Sequence, residues 1–587
     1  MVTAIKTPLP GSPELRALRQ AERERMRLID AGLIPIKYLP RPCTVRILML
    51  VDDGISYNQF YFGLSEVLDT LRGAPEWWVR FDITRAHRHT DPNPPATPAG
   101  MALYGPHLQN FHFNQAGFDI DTFDEVWFYG FNSGAGTPGT CAPLTGIPPN
   151  ALTDAELAVL YRWMNERDGG VFATGDHANL GEALCSRIPR VRSMRKWAFN
   201  PAGDPVNSAP SNTGVNRHDT LVPGHDRADT ANDEAAQYTF DDESDDLPMP
   251  LRLRWYTLRY QCRVGFKLLH PGWYRFPRVP HPLLCGKAGP ITVFPDHPHE
   301  GEVRVPTALG DTPAFCAYSA REYPDLGASP LSPQIVAWAR VRDDHKVGDF
   351  KGAVNAKEFG VVGAYDGHCV GVGRVVVDST WHHWFDVNLT GRMVLFDDAP
   401  GNIETGDARK QKGFLDTPAG VAALGRIRNY FRNVALWLAP PARQRCMACK
   451  ALWGAIHRFP LKADLRADMP IEEIGHQAWQ VLVKMAGRCQ VQGWWEVLVD
   501  HQRLSKLFDL DRYDAPPELL QRIDEYMLGA VLRDLLVLRA QLPEGTHPSD
   551  DDLQKHALRS VESGFKALAE EVGRGQKALQ DLQDGLT

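Results

Sequence analysis

Short apolar runs alternate along this chain with stretches whose apolar residues recur at helical spacing. Thr44-Val45-Arg46-Ile47-Leu48-Met49-Leu50-Val51 has the length and apolar character of a buried strand and closes on Asp52-Asp53-Gly54. Phe60, Leu64, Val67, Leu68 and Leu71 then mark one face of a helix, and Trp78 to Ile83 alternates as a second strand. A proline-rich, histidine-bearing loop runs from His87 to about Asn110. Phe123 to Gly130 reads as a third strand, followed by Asn132, Ser133 and Gly134. Thr153 and Glu156 have capping-box spacing and open a helix through Leu157, Leu160, Tyr161 and Met164. Gly169-Gly170 ends that helix. Val171-Phe172-Ala173-Thr174 is the next strand and turns at once into Gly175-Asp176-His177.

The pattern dissolves between about Arg195 and His345, which is rich in Gly, Pro, Asn and Asp over 200–238, acidic over 241–246 and aromatic and basic over 255–274, and resumes with strands at residues 359–363 and 373–378. A helix over 418–437 and the Pro440-Pro441 pair mark a boundary, after which the chain is helix after helix. Alternating strands and helices, each strand ending in polar residues, predict an α/β fold: a flavodoxin-like parallel sheet with helices on both faces. The expected organisation is an N-terminal helical extension (1–42, with a helix over 12–33), a sheet domain over 43–440, and a separate α-helical module over 442–587. The insertion at about 195–345 reads as an elaboration of the sheet domain without a core of its own.

Composition narrows the function classes. The 587 residues are 43% apolar and 23% charged with a net charge of −8, ordinary for a globular protein and without the basic face that nucleic acid demands. No run approaches the roughly 20 apolar residues of a membrane span, and residues 1–10 lack the apolar centre of a signal peptide. The 10 cysteines are scattered, so the expectation is unpaired thiols in a reducing cytoplasm. Cys446-x-x-Cys449 lacks the second pair that zinc wants and reads as two cysteines half-buried on a helix.

The candidate chemistry lies at strand ends, where ligands of α/β sheets meet side chains. Asp176-His177 comes first: an imidazole beside a carboxylate serves as base or metal ligand and titrates near neutrality. The second segment, Asp378-Ser379-Thr380-Trp381-His382-His383-Trp384-Phe385-Asp386, sets two histidines and two acids among aromatic rings. Asp52 and Asp53 fit a cation, a sugar hydroxyl or, for one of them, a cap. Asn132-Ser133-Gly134 offers backbone N–H groups, a weaker signal. The acidic run 241–246 lacks calcium-loop spacing and reads as a solvated turn. His218/His225 and His297/His299 sit in proline-rich loops as minor metal candidates.

The first strand with Asp52-Asp53-Gly54, the helix ending Arg162-Trp163-Met164-Asn165, the Gly169-to-His177 segment, and Gly373-Arg374-Val375-Val376-Val377 leading to His382 together resemble the class I glutamine amidotransferase-like fold, within it the ThuA-like (trehalose-utilisation) branch. The resemblance covers about residues 43–440 apart from the insertion. It implies a pocket at the sheet's carboxyl edge, with a histidine at the strand-to-helix elbow and a second after a late strand. Here His177 stands where the amidotransferases carry a cysteine, Cys185 is eight residues on, and Trp384 replaces the acid of the usual His-x-Glu, which disfavours thioester chemistry.

Two readings follow. One is a hydrolase-type enzyme acting on a small polar or carbohydrate-like substrate. Asp176, His177, His382 and His383 are its catalytic groups, and Asp52, Asp53, Asn132, Ser133 and Asp386 bind substrate. The chemistry is either acid–base or assisted by a divalent metal ion on Asp176, His177 and His382. The other is a non-catalytic scaffold whose segment 442–587 binds a protein partner or a second copy of the chain.

Overall fold

The computed structural model describes residues 41–586 apart from 59–61, 75, 92–105, 135–138, 140, 143, 145, 198–208, 212–214, 219–247, 257–278, 296–299, 342–353, 391–413, 416, 457–468, 499–516 and 544–545. The expected helix over 12–33, the acidic run 241–246, His225, His297 and His299 therefore lie outside the described residues.

Nine strands form one sheet: β1 (Cys43–Val51), β2 (Val79–His87), β3 (His107–Leu108), β4 (Glu125–Tyr129), β5 (Gly170–Thr174), β6 (Arg252–Leu253), β7 (Gln334–Val341), β8 (Lys357–Tyr365) and β9 (Val375–Asp378). Their order is β3-β2-β1-β4-β5-β9-β8-β7-β6. All pairings from β3 to β9 are parallel, and β8, β7 and β6 continue the sheet antiparallel. The chain leaves β1 towards β2 on one side and returns to β4 on the other, so the loops after β1 and β4 diverge at a switch point.

Apolar residues on both faces explain why β1 reads as a continuous run. Val45, Ile47, Met49 and Val51 face one core, and Leu48 and Leu50 the other. The first face is covered by α1 (Ser65–Arg72) and a later helix over Pro418–Leu438. The second is covered by α2 (Asp154–Glu166) and the short helices α3 (Glu182–Cys185) and α4 (Val191–Met194). The Thr153–Glu156 capping box at the start of α2 is present in both directions. A single turn, α5 (Asp386–Thr390), precedes α6 (Pro418–Leu438).

The chain then forms α7 (Pro441–Ala455), α8 (Ile471–Ala486), α9 (Arg488–Leu498), α10 (Pro517–Gln541) and α11 (Asp550–Leu586). These helices share the apolar core of the sheet's first face. Trp494 of α9 stands edge-on to Trp78 with ring centroids 4.9 Å apart, and Trp77 fills the space where a side chain on Gly454 would lie.

The insertion adds strands that local pattern does not reveal, and one expectation, on the cysteines, is corrected. The insertion contributes β6 and β7 to the main sheet. Local pattern misses them because a two-residue strand carries no periodicity and β7 follows directly on the proline-bearing segment 329–333. The cysteines are also not all unpaired: Cys141–Cys316 and Cys285–Cys489 are disulfides, and Cys369 is disulfide-bonded as well. Separations of 175 and 204 residues leave no trace in spacing; folding brings the Cα atoms to 5.6 and 6.1 Å. Cys43, Cys185, Cys446 and Cys449 are buried free thiols; the last two lie on α7, a helix as expected, but buried rather than half-buried.

Candidate functional site at the carboxyl edge of the sheet

The segment after β5 does not turn straight into a helix. Gly175-Asp176-His177 runs on, the chain folds back so that Asp176 N–H donates to Leu180 O at 3.1 Å, and α3 starts at Glu182. The left-handed backbone falls on Ala178 (φ 49°) and Gly181 (φ 89°), not on His177. Three glycines let the loops after β4 and β5 touch. A Cβ on Gly181 would lie 2.7 Å from Gly175 Cα and 2.8 Å from Gly130 O. Cys185 faces the strand behind this turn, its thiol donating to Thr174 O at 3.4 Å, and burial pushes its pKa up. It is no nucleophile for an open site.

The turn after β9 closes on the same place. Trp381 N–H donates to Gly175 O at 3.0 Å and its indole N–H to Gly130 O at 2.8 Å. Arg195, fully buried, donates through Nη2 to both Asp176 O at 2.5 Å and Ser379 O at 2.7 Å, pinning the two loops together. Trp197 stacks on that guanidinium at 4.2 Å. Arg195 was invisible to sequence reasoning because it opens the stretch where periodicity dissolves.

Within this frame Asp176, His177 and His382 converge. Asp176 is buried, and its Oδ1 accepts the Thr380 hydroxyl at 2.9 Å. Its Oδ2 lies 3.6 Å from His177 Nε2 and 3.7 Å from His382 Nε2. His382 Nδ1 is 3.0 Å from Asn388 Oδ1. An amide oxygen only accepts, so the ring proton sits on Nδ1 and Nε2 is the basic nitrogen, turned to the carboxylate. Phe62, Trp381 and Phe385 wall the His382 ring at 6.3, 4.3 and 6.1 Å. His177 is the more open of the two imidazoles, with 12% of its side chain exposed against 5% for His382.

Other expected site residues are committed elsewhere. His383 is fully buried between two carboxylates, Nδ1 at 2.6 Å from Asp378 Oδ1 and Nε2 at 3.3 Å from Glu300 Oε1. Burial alone would lower its pKa, but Asp378 and Glu300 outweigh that and raise it to about 10. Asp378 also accepts from the Trp384 indole at 3.0 Å and the Tyr430 hydroxyl at 2.8 Å. His383 is therefore a buried ion-pair residue rather than a site group, and Glu300, from the insertion, is the partner that sequence alone did not reveal.

Asp386 accepts from Ser65 N–H, the Ser65 hydroxyl and Glu66 N–H at 3.1, 2.6 and 2.8 Å, which makes it the cap of α1 rather than a substrate ligand. Asp52 accepts from Phe131 and Asn132 N–H at 2.5 and 2.9 Å and is buried, tying the loops across the switch point. Burial raises its pKa to about 7. Asp53 is half-exposed and faces His89 Nδ1 at 2.8 Å. Asn132 O accepts from Gly181 and Ala183 N–H, and Ser133 bridges to Leu180, so this loop packs on the β5 turn; the Ser133 side is exposed.

Among the described residues, His87, Asp91 and His107 bring one ligand atom each within 4.8 Å of one another. Of the minor metal candidates, His218 is bonded to Glu302 Oε2 at 3.0 Å. No helix among the described residues is long and apolar enough to cross a membrane. Comparison with protein-family models, with curated proteins and with solved structures returned no match for this chain.

Proposed function

We propose that this chain is a hydrolase-type enzyme with a flavodoxin-like, amidotransferase-like sheet, closest in character to the ThuA-like branch, that acts on a small polar or carbohydrate-like substrate by acid–base chemistry. One observation carries the reading: His177 and His382 set their Nε2 atoms 3.6 and 3.7 Å from the same oxygen of Asp176. His382 Nε2 takes the proton of an attacking water, whose oxygen bonds to the substrate. Asp176, held by Thr380, stabilises the imidazolium so formed. Protonated His177, on the open side, gives its proton to the leaving group, and proton exchange with water restores both rings. The aromatic wall of Phe62, Trp381 and Phe385 suits the apolar face of a sugar-like ring.

The test is turnover of a panel of chromogenic glycosides and esters by the full chain. His382→Ala is expected to lose about 10²–10⁴-fold in kcat. Equal rates in His382→Ala and wild type, with an unchanged fold by circular dichroism, overturn the reading. The cytoplasmic location expected from the scattered cysteines is no part of this proposal, since disulfides persist in oxidising compartments.

A specific observation favours the scaffold reading as the alternative. The apolar stripe of α11 is buried through Leu568 and continues outwards as Val572, Leu579, Leu582 and Leu586, which are 43%, 71%, 64% and 81% exposed. A stripe of that spacing suits a partner helix. Light scattering of the full chain and of a Leu579→Glu/Leu582→Glu variant tests self-association through it.

A further inference from the structure

We propose that His87, Asp91 and His107 form a divalent metal site of the Zn²⁺ type where the carboxyl end of β2 meets the start of β3, independent of the Asp176–His177–His382 site. The proline-rich, histidine-bearing loop that begins at His87 has no part in the proposed reaction, yet the side chains of His87 and His107 are only 1% and 6% exposed. The parallel register of β2 with β3 sets Arg85 against His107 and Ala86 against Leu108, so the two-residue strand β3 delivers His107 beside the end of β2. Tyr57 stands edge-on to both rings, with centroids 5.2 Å from His87 and 5.7 Å from His107. Its hydroxyl lies 2.6 Å from Met49 O and 3.0 Å from Ala86 O, which fixes it in place.

The cluster's ring nitrogens carry too few protons for the contacts they make. His87 Nε2 lies 3.1 Å from Ile55 O, and a carbonyl only accepts, so Nε2 carries the ring proton and Nδ1 has a lone pair. That Nδ1 points at His107 Nε2, 2.8 Å away. Gln109 sets the other side. Its Oε1 accepts Asp91 N–H at 2.5 Å, so its NH₂ group is the end that faces His107 Nε2 at 3.1 Å. A donor there requires a lone pair on His107 Nε2 as well. Two lone-pair nitrogens thus face each other at 2.8 Å, an arrangement that repels unless a positive charge lies between or beside them.

The third group tells a metal ion from a shared proton. Asp91 is buried; its Oδ2 lies 3.6 Å from the lone-pair nitrogen His107 Nε2 and its Oδ1 3.5 Å from the protonated His87 Nε2, and one ligand atom from each of the three residues lies within 4.8 Å of the others. A shared proton needs two nitrogens; a cation recruits the carboxylate too. Two imidazoles and one carboxylate are a donor set that Zn²⁺ takes in sites that leave a fourth position to water. The His87 Nε2–H to Ile55 carbonyl bond is the outer contact that orients a ligating imidazole. Zn–N bonds of about 2.0–2.1 Å at a tetrahedral angle place the nitrogens about 3.3 Å apart, so the rings need to part by only about half an ångström. Arg85, with its guanidinium over the Tyr57 ring at 5.8 Å, works against a cation and tempers the affinity.

The experiment uses the full chain, stripped with a chelator and dialysed against micromolar Zn²⁺. Metal content by emission spectrometry and the melting temperature are the readouts. One equivalent bound, with a higher Tm, is expected for wild type and for His177→Ala and His382→Ala. His87→Ala and His107→Ala are expected to lose the equivalent. Asp91→Asn, nearly isosteric, guards against simple misfolding and is expected to bind about 10-fold or more weakly. Co²⁺ in place of Zn²⁺ gives visible bands of a four-coordinate site in wild type and not in Asp91→Asn. No uptake by wild type leaves the shared proton as the explanation and overturns the proposal. So does uptake that survives both histidine substitutions, or that disappears in the His177→Ala and His382→Ala variants instead.

Discussion

His382 and His383 are chain neighbours whose rings serve different carboxylates. His382 turns Nε2 to Asp176 at 3.7 Å beneath an aromatic wall, whereas His383 is locked between Asp378 at 2.6 Å and Glu300 at 3.3 Å with no exposure. The short helical turn over Trp381–His383, opened by Thr380 accepting His382 N–H, rotates successive side chains apart. One ring is thereby available to a site and the other holds the loop that presents it.

Removing the His383 charge leaves Asp378 and Glu300 buried without their common cation. His383→Gln is expected to lose about 3–5 kcal/mol of stability, the usual cost of breaking a buried pair on one side. The pH dependence has a definite sign. The folded pKa, raised to about 10, lies above the unfolded value near 6.5, so the contribution is fully present below about pH 6.5 and fades as pH rises towards 10. Thermal unfolding between pH 6 and pH 10 checks this. A wild-type Tm as flat as that of the variant across the range contradicts the buried imidazolium.

The cap of α1 comes from a residue more than three hundred positions away. Leu64 at the N-cap position offers no side-chain bond, and Asp386 supplies it through Ser65 and Glu66. Asp386→Ala should cost about 1–2 kcal/mol, and Ser65→Ala less. In a double-mutant cycle the two losses should fall short of additivity, because they share one hydrogen bond. Strict additivity in urea unfolding argues against the contact.

The Cys285–Cys489 bridge ties the insertion to α9, and Cys141–Cys316 ties the loop after β4 to the insertion. Peptide mapping without reductant should return both linked pairs from protein folded under oxidising conditions. Cys489→Ser should lower stability by about 2–4 kcal/mol, the usual contribution of a long-loop disulfide. Recovery of all four cysteines as free thiols in oxidised, folded protein contradicts the pairing.

Local pattern was enough for most elements. The apolar run of β1, the capping box of α2, the strand ending in Asp176-His177 and the helix beginning at Pro418 all stand close to where periodicity puts them, because each is specified by neighbours within a turn or a strand. Asp176, His177 and His382 were legible for the same reason: each follows the carboxyl end of a strand of one sheet. What each side chain faces is decided by contacts across the fold. His383 and Asp386 read like their neighbours, yet Glu300 claims one and the open end of α1 claims the other. The disulfides and the β6–β7 extension are pairings over long stretches of chain, and the opposed lone pairs of His87 and His107 arise only because β3 aligns beside β2. Sequence names the residue types at each strand end; only the tertiary arrangement decides which buried charge, cap or lone pair each must satisfy, since an unmet polar group in the core is too costly to remain.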